Sequence, residues 1–150
     1  MPELPDLDAP IRSAIIADSS IILLLDAYKG SYPVFTRLPV PEDTPKPFIV
    51  ISENVNLTHN DGVNDSRVIA VREVTTYGSA NPPPDEWRLV EQIGGLVAER
   101  FHRQPGKLIV TNWKVVDIRV NVRGFPPYEQ LAQNIAYVVS LSIQLASLND

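Results

Sequence analysis

Residues 134–148 alternate over their whole length, and this pattern restricts the fold more than any other in the chain. Ile135, Tyr137, Val139, Leu141, Ile143 and Leu145 fall on one parity. Asn134, Ser140, Ser142 and Gln144 fall on the other, with Ala136, Val138 and Ala146 among them. Strand side chains point to opposite faces with period two, so the segment reads as one long strand with a firmly apolar face. It is much longer than the usual ~5–6 residues. The expectation is a sheet completed by the last stretch of chain, in which this strand is scaffold and also an assembly surface.

At 150 residues the chain is about one domain, 1–150, of a size that buries roughly 70% of its extended surface. With 44% hydrophobic and 21% charged residues it has a globular composition. The formal charge of −5 argues against wrapping nucleic acid, because phosphate binding needs clustered Lys and Arg. Cysteine is absent, which excludes disulfides, thiolate metal sites and cysteine nucleophiles. The acidic, proline-broken start from Met1 to Asp6 resembles neither a signal peptide nor a transit peptide. The apolar run 21–25 is far short of the ~20 residues that span a bilayer. A soluble protein made in a cytoplasm is expected.

Along the chain, Asp8 before Ala9-Pro10-Ile11 predicts a helix start with Asp8 as N-cap. Ile11, Ala14 and Ile15 then share a face. Ser19 or Ser20 is expected to cap a second helical stretch reaching Ala27, ended near Lys29-Gly30. The apolar stripe is expected to cover one face of the sheet. From 31 to 47 the density of proline leaves extended surface chain with a short strand near 34–37. A strand from Phe48 to about Leu57 and another from 67 to 77 make an antiparallel hairpin. Its polar tip, 58–66, carries the Asp61-Gly62 turn signal. Pro82-Pro83-Pro84 opens a helix whose stripe is Trp87, Val90, Gly94, Val97 and Phe101. Close approach of the helix backbone to the sheet would compensate the Gly94-Gly95 pair. Residues 107–110 suggest a short strand. Val116, Ile118, Val120 and Val122 alternate with Asp117, Arg119, Asn121 and Arg123, a half-buried strand with one wet face. The order predicts an α+β fold, a mainly antiparallel sheet with an N-terminal helical segment and one amphipathic helix packed on one face.

Motifs for chemistry are sparse, and nothing argues for an enzyme. His59 and His102 are the only histidines, one in a polar loop and one at a helix end, and their spacing gives no hint of a metal site. His102, beside Arg100 and Arg103, reads as complementing the helix dipole. The loop from His59 to Asp65 is rich in oxygen ligands but lacks the closing glutamate of an EF-hand. No glycine-rich phosphate loop and no Gly-x-Ser-x-Gly elbow occurs. No cofactor is implied. A proline-rich arm, a long polar hairpin tip and a long final strand are parts that reach beyond a compact body. Symmetric assemblies use such parts as interfaces.

The order of elements resembles the tail terminator, or tail completion, proteins of long-tailed bacteriophages and phage-like particles. The resemblance runs through the Ile-, Leu- and Ala-rich segment 11–27 and Tyr32-Pro33-Val34-Phe35. It continues in Pro47-Phe48-Ile49-Val50-Ile51, in Val74-Thr75-Thr76-Tyr77-Gly78-Ser79, in the helix 86–101 and in the closing strands 115–123 and 135–145. It covers nearly the whole chain. The chain departs from the pattern at Pro39 to Pro47 and at Pro82-Pro83-Pro84. The resemblance implies a structural virion protein of the tail or neck, assembled in the host cytoplasm. It would form a ring, usually hexameric, that ends tail-tube polymerisation and docks the head. The implied partners are further copies of the chain, the major tail tube protein and the head-completion or connector protein. DNA would pass through without specific binding, and no membrane is involved. Another neck, head-completion or minor tail protein is the alternative within this class; a small α+β enzyme or ligand-binding domain is the alternative outside it. In such a protein, recognition falls to the hairpin tip: Thr58, His59, Asn60, Asp61, Gly62, Val63, Asn64 and Asp65.

Overall fold

The computed structural model of the chain describes residues 6–37, 39–53, 58–59, 67–80, 82–125 and 134–148. Two helices, α1 (Asp8–Ile16) and α2 (Ser19–Ile22), come first, followed by the short strand β1 (Val34–Phe35). Strands β2 (Phe48–Glu53), β3 (Thr58–His59) and β4 (Arg67–Tyr77) precede the long helix α3 (Pro84–Phe101). A single 3₁₀ turn, Pro105–Lys107, leads to β5 (Trp113–Gly124) and β6 (Ala136–Ser147). The strands form one sheet in the order β1-β2-β4-β6-β5, with β3 as a side branch on β4. Among the described strand pairs, only β1–β2 is parallel. The fold is α+β, as the periodicities predicted.

Register assigns the two faces of the sheet. Val139, Leu141, Ile143 and Leu145 of β6 lie opposite Val74, Arg72, Ala70 and Val68 of β4. Ile49 and Ile51 of β2 continue that face, and α1, α2 and α3 cover it through Ile11, Ile15, Ile21, Val90, Ile93, Val97 and Phe101. All seven of these helix residues are fully buried. Burying an aliphatic side chain of this kind contributes about 1.5–3 kcal/mol, so this layer holds the fold together. Gly94 lets α3 approach the sheet closely, as the glycine pair predicted, and the contact is with the Tyr137 ring.

Several expectations are corrected. The final strand does not sit at an edge: β6 is paired along both sides, so its backbone offers no assembly surface. The proline-rich arm is surface chain, with Pro39, Pro41, Glu42 and Asp43 exposed, but it is fastened to the body at several points. Pro33, Thr44 and Pro47 are buried, β1 pairs with β2, and Tyr28, Phe35, Phe48 and Tyr77 form a chain of ring contacts over that end of the sheet. Asp8 is the first helical residue and not the N-cap, which is Leu7. Its carboxylate stands 3.6 Å from the buried Arg72 guanidinium, which needs a counter-charge inside the helix-covered face. Asp18, rather than a serine, caps α2 by accepting the Ser20 N–H at 2.9 Å. That helix ends at Ile22, short of Ala27. Residues 107–110 form no strand: Pro105 and Gly106 set a 3₁₀ turn, and Val110 makes a lone bridge to Trp113 across a turn with Asn112 left-handed.

The strict alternation expected of β5 also fails. Bulges between Val115 and Asp117 and between Val120 and Val122 each insert one extra residue against β6. A side-chain period of two survives only while pairing stays in step. Val116 and Val122 therefore end 48% and 63% exposed, while Ile118 between them is fully buried.

Candidate assembly surfaces

Part of the hairpin tip singled out in the sequence is strand. Thr58 and His59 form β3, paired antiparallel with Ile69 and Val68 of β4. The expected tip thus starts later than Thr58, because pairing with β4 extends past the main run of β2. Asn60, Asp61, Gly62, Val63, Asn64 and Asp65 lie outside the described residues. The structure places the tip's base on β4 and brings no other part of the described chain against it as a paired strand.

A second surface is the face of the sheet that the described helices leave bare. Ile69, Val71, Glu73 and Thr75 of β4 share it with Val138, Ser140, Ser142 and Gln144 of β6, by register. Lys114, Asp117, Arg119 and Val122 of β5 extend it. Its central strip, along β4 and β6, carries one charge, Glu73. The outer side of α3 is different, with Asp85, Arg88, Glu91, Gln92 and Glu99 exposed. The two layers therefore offer a partner unlike chemistry. On the bare face Asp117 takes Arg103 Nη1 and Arg119 Nε at 3.1 Å each, and its own carboxylate accepts the Ile118 N–H at 2.9 Å. The Arg119 hydrogen bond above all, with Arg103 and the Ile118 amide, holds the Asp117 carboxyl below its ordinary value of 3.8.

A groove of about 650 Å³ runs between α1 and residues 106–111, lined by Ala9, Ser13, Ala17, Arg100, Lys107 and Ile109. Ile109 is 85% exposed. Arg100 Nε is buried there without a hydrogen-bond acceptor among the described residues, and Asp18 Oδ2 lies 4.0 Å away.

The third surface, the outer edge of β5, was not foreseen. His102 does not simply face the end of the α3 dipole: its Nδ1 accepts the Val120 backbone N–H at 3.0 Å. Its neighbour Arg103 is left-handed, with φ 59°, and donates its backbone N–H to the Ile118 carbonyl at 2.7 Å. The helix stop at Gln104-Pro105-Gly106 was visible in sequence, but its contact with a strand fifteen residues on was not. Among the described residues no three His, Asp or Glu side chains converge as a metal would require. No helix among them is long and apolar enough to cross a membrane.

No family model matches the chain, and no curated protein does. A solved structure titled "Virion of native gene transfer agent (GTA) particle" contains a chain with a similar fold, at 13% identity and TM-score 0.65. The match covers 93% of this chain and 95% of that one. At this identity the likeness establishes the shared fold.

Proposed function

We propose that the chain is a structural virion protein, a tail terminator that forms a ring, hexameric in this reading, on the head-proximal end of a tail tube. The ring ends tube polymerisation and then docks the head-completion or connector protein. The observation that carries this reading is the fold likeness to a chain of a gene transfer agent virion, over 93% and 95% of the two lengths. The resemblance of the element order to tail terminator proteins adds to it, and the described elements from α1 to β6 follow one another in the sequence that resemblance implies.

The mechanism is binding. A closed ring needs heterologous contacts, in which one patch of a subunit meets a different patch of the next. The sparsely charged strip of the bare sheet face and the charged outer side of α3 are such unlike patches. Termination requires that the tube-facing side accept the last tube subunit and the opposite side refuse another, a difference of affinities between the two. The hairpin tip, 58–65, is assigned to recognition, held at its base by β3 on β4. A net charge of −5 suits a lumen through which DNA slides, since repulsion weakens phosphate contacts.

Electron microscopy of particles carrying this chain tests the reading. One ring between tail tube and neck is expected, and loss of the chain should give tubes of uncontrolled length. Density for the chain repeated along the whole tube would overturn the assignment, and a ring at another neck level would reassign it to head completion.

A further inference from the structure

Among the described strands, β5 is the long edge of this sheet. The opposite edge is β1, two residues long and preceded by Pro33. β5 spans twelve residues, Trp-Lys-Val-Val-Asp-Ile-Arg-Val-Asn-Val-Arg-Gly, rich in β-branched side chains. It carries Val116 and Val122 exposed. An open edge of this kind is a template for another strand. Its readiest partner is β5 of a second copy, because an antiparallel pair about a two-fold axis is self-complementary. Such a pair would join two sheets into one.

The turn that ends α3 lies across the middle of this edge. Ile118 and Val120 turn their outward backbone groups away from β6, and these are the groups that Arg103 N–H and His102 Nδ1 occupy, at 2.7 and 3.0 Å. A residue in the left-handed region after a helix commonly returns its N–H to the helix's own last carbonyls. Here the Arg103 N–H goes to the strand. The Arg103 guanidinium adds a second tie to β5 at Asp117, 3.1 Å. The two bulges flank this clamp on either side. A bulge disrupts the ladder and twists the strand, so pairing weakens beyond the clamp and the stretch the clamp covers is the one that must be closed.

We propose that the C-terminal turn of α3 is an edge guard: His102 and Arg103 close β5 against pairing with β5 of a second copy. The guard keeps the chain out of two-fold dimers and open-ended sheet aggregates, so that copies meet through the faces of the fold. It stands independently of the tail-terminator reading, since any protein with this edge needs it closed.

The test is a double variant, His102→Ala with Arg103→Pro, compared with Arg103→Gly and the parent. Proline removes the Arg103 N–H and forbids a positive φ, while the residue before it is already extended, at φ −60° and ψ 117° for His102. Glycine keeps the N–H and suits φ 59°. Sedimentation velocity over a range of concentrations should show the double variant at twice the parent's mass or more. Its new amide-exchange protection should fall within 116–122, while the glycine variant should sediment with the parent. A folded double variant with the parent's mass at every concentration overturns the proposal. If the double variant does not fold, amide exchange in the parent decides. Slow exchange at Val120 and Arg103 with self-association of His102→Ala supports the guard, and free exchange at both amides, or a His102→Ala chain that keeps the parent's mass, overturns it. The particle imaging above tests the ring reading separately, so either idea can fail alone.

Discussion

Gly94 on α3 lies against the ring of Tyr137 on β6: a Cβ at this glycine would stand 2.0 Å from Tyr137 Cδ1 and 2.6 Å from Cε1 and Cγ. No side chain fits there without moving the ring. The ring itself is held on several sides. Arg123 Nε donates to its hydroxyl at 2.9 Å, and Phe125 meets it edge-on at 5.2 Å, with Trp87 packed in turn on Phe125 at 5.0 Å. This contact sets the distance between the helix layer and the sheet.

Gly94 and Gly95 are therefore expected to respond oppositely to alanine. Gly94→Ala should cost roughly 1–3 kcal/mol by overpacking, outweighing the ~1 kcal/mol that alanine returns in helix propensity. At Gly95, among the described residues, an added methyl meets only Arg123 Nη2, at 3.4 Å. Gly95→Ala should raise stability by up to about 1 kcal/mol. Denaturant titrations of both variants check this. Equal effects at the two positions would mean that the helix does not approach the sheet through Gly94.

The buried pair Asp8–Arg72 predicts a second asymmetry. Arg72 is 5% exposed on the helix-covered face, and Asp8 is 28% exposed at the start of α1. Asp8→Ala strands a charge inside the protein and should cost about 3–5 kcal/mol, the range for breaking a buried pair from one side. Arg72→Met leaves a carboxylate that water can reach and puts an apolar chain into an apolar layer, so its loss should be clearly smaller. Thermal or urea unfolding of the two variants measures the difference. An equal or reversed order would place the desolvated charge on Asp8 instead.

Much of the fold could be read from residue order because it depends on local periodicity. The spans of β4, α3 and β6 follow from apolar spacing, and the glycine pair announced the close approach at Tyr137. What escaped was long-range. Alternation in β6 shows that it is a strand but not which strands flank it, so its interior position could not be told from an edge. The bulges at Val116 and Asn121 leave no mark in a run of β-branched residues. Arg72 looks like one more polar residue in an alternating strand until α1 brings Asp8 over it. The His102–Arg103 clamp joins a helix end to a strand with no sequence signal except the helix stop between them.

Asp117 should make stability depend on acid. Its carboxyl is held below 3.8 chiefly by the Arg119 hydrogen bond, with Arg103 and the Ile118 amide. A carboxylate with a depressed folded value contributes stability that is fully present above its unfolded value, near about 4. That contribution disappears as pH falls through the lower folded value. Asp117→Asn should thus be less stable than the parent at neutral pH, and the gap should close below about pH 4. Because Arg103 and Arg119 are more than half exposed, added salt should narrow the gap at neutral pH as well. Melting curves across pH at low and high salt test both effects, and a gap that widens on acidification would contradict the sign.

The last prediction concerns the hairpin tip, on which the proposed recognition role rests. Residues 60–64 are Asn, Asp, Gly, Val and Asn, short side chains that add little to any core and favour turns. The base they join is fixed: β3 pairs with β4 at Thr58–Ile69 and His59–Val68, and β4 is bound to β6 along its length. Loops on such a scaffold are common carriers of recognition. Replacing Asn60 to Asn64 with a tight two-residue turn should leave the melting temperature nearly unchanged, because the core is built from residues such as Ile49, Val74, Leu141 and Val97. In a particle that depends on this chain, the same change should leave tails uncapped or overlong and reduce the yield of joined heads and tails. Complementation with the shortened chain, scored by tail length in micrographs alongside the melting curve, separates recognition from folding. Normal tails from a stable shortened chain would remove the hairpin from the mechanism and leave recognition to the faces of the fold.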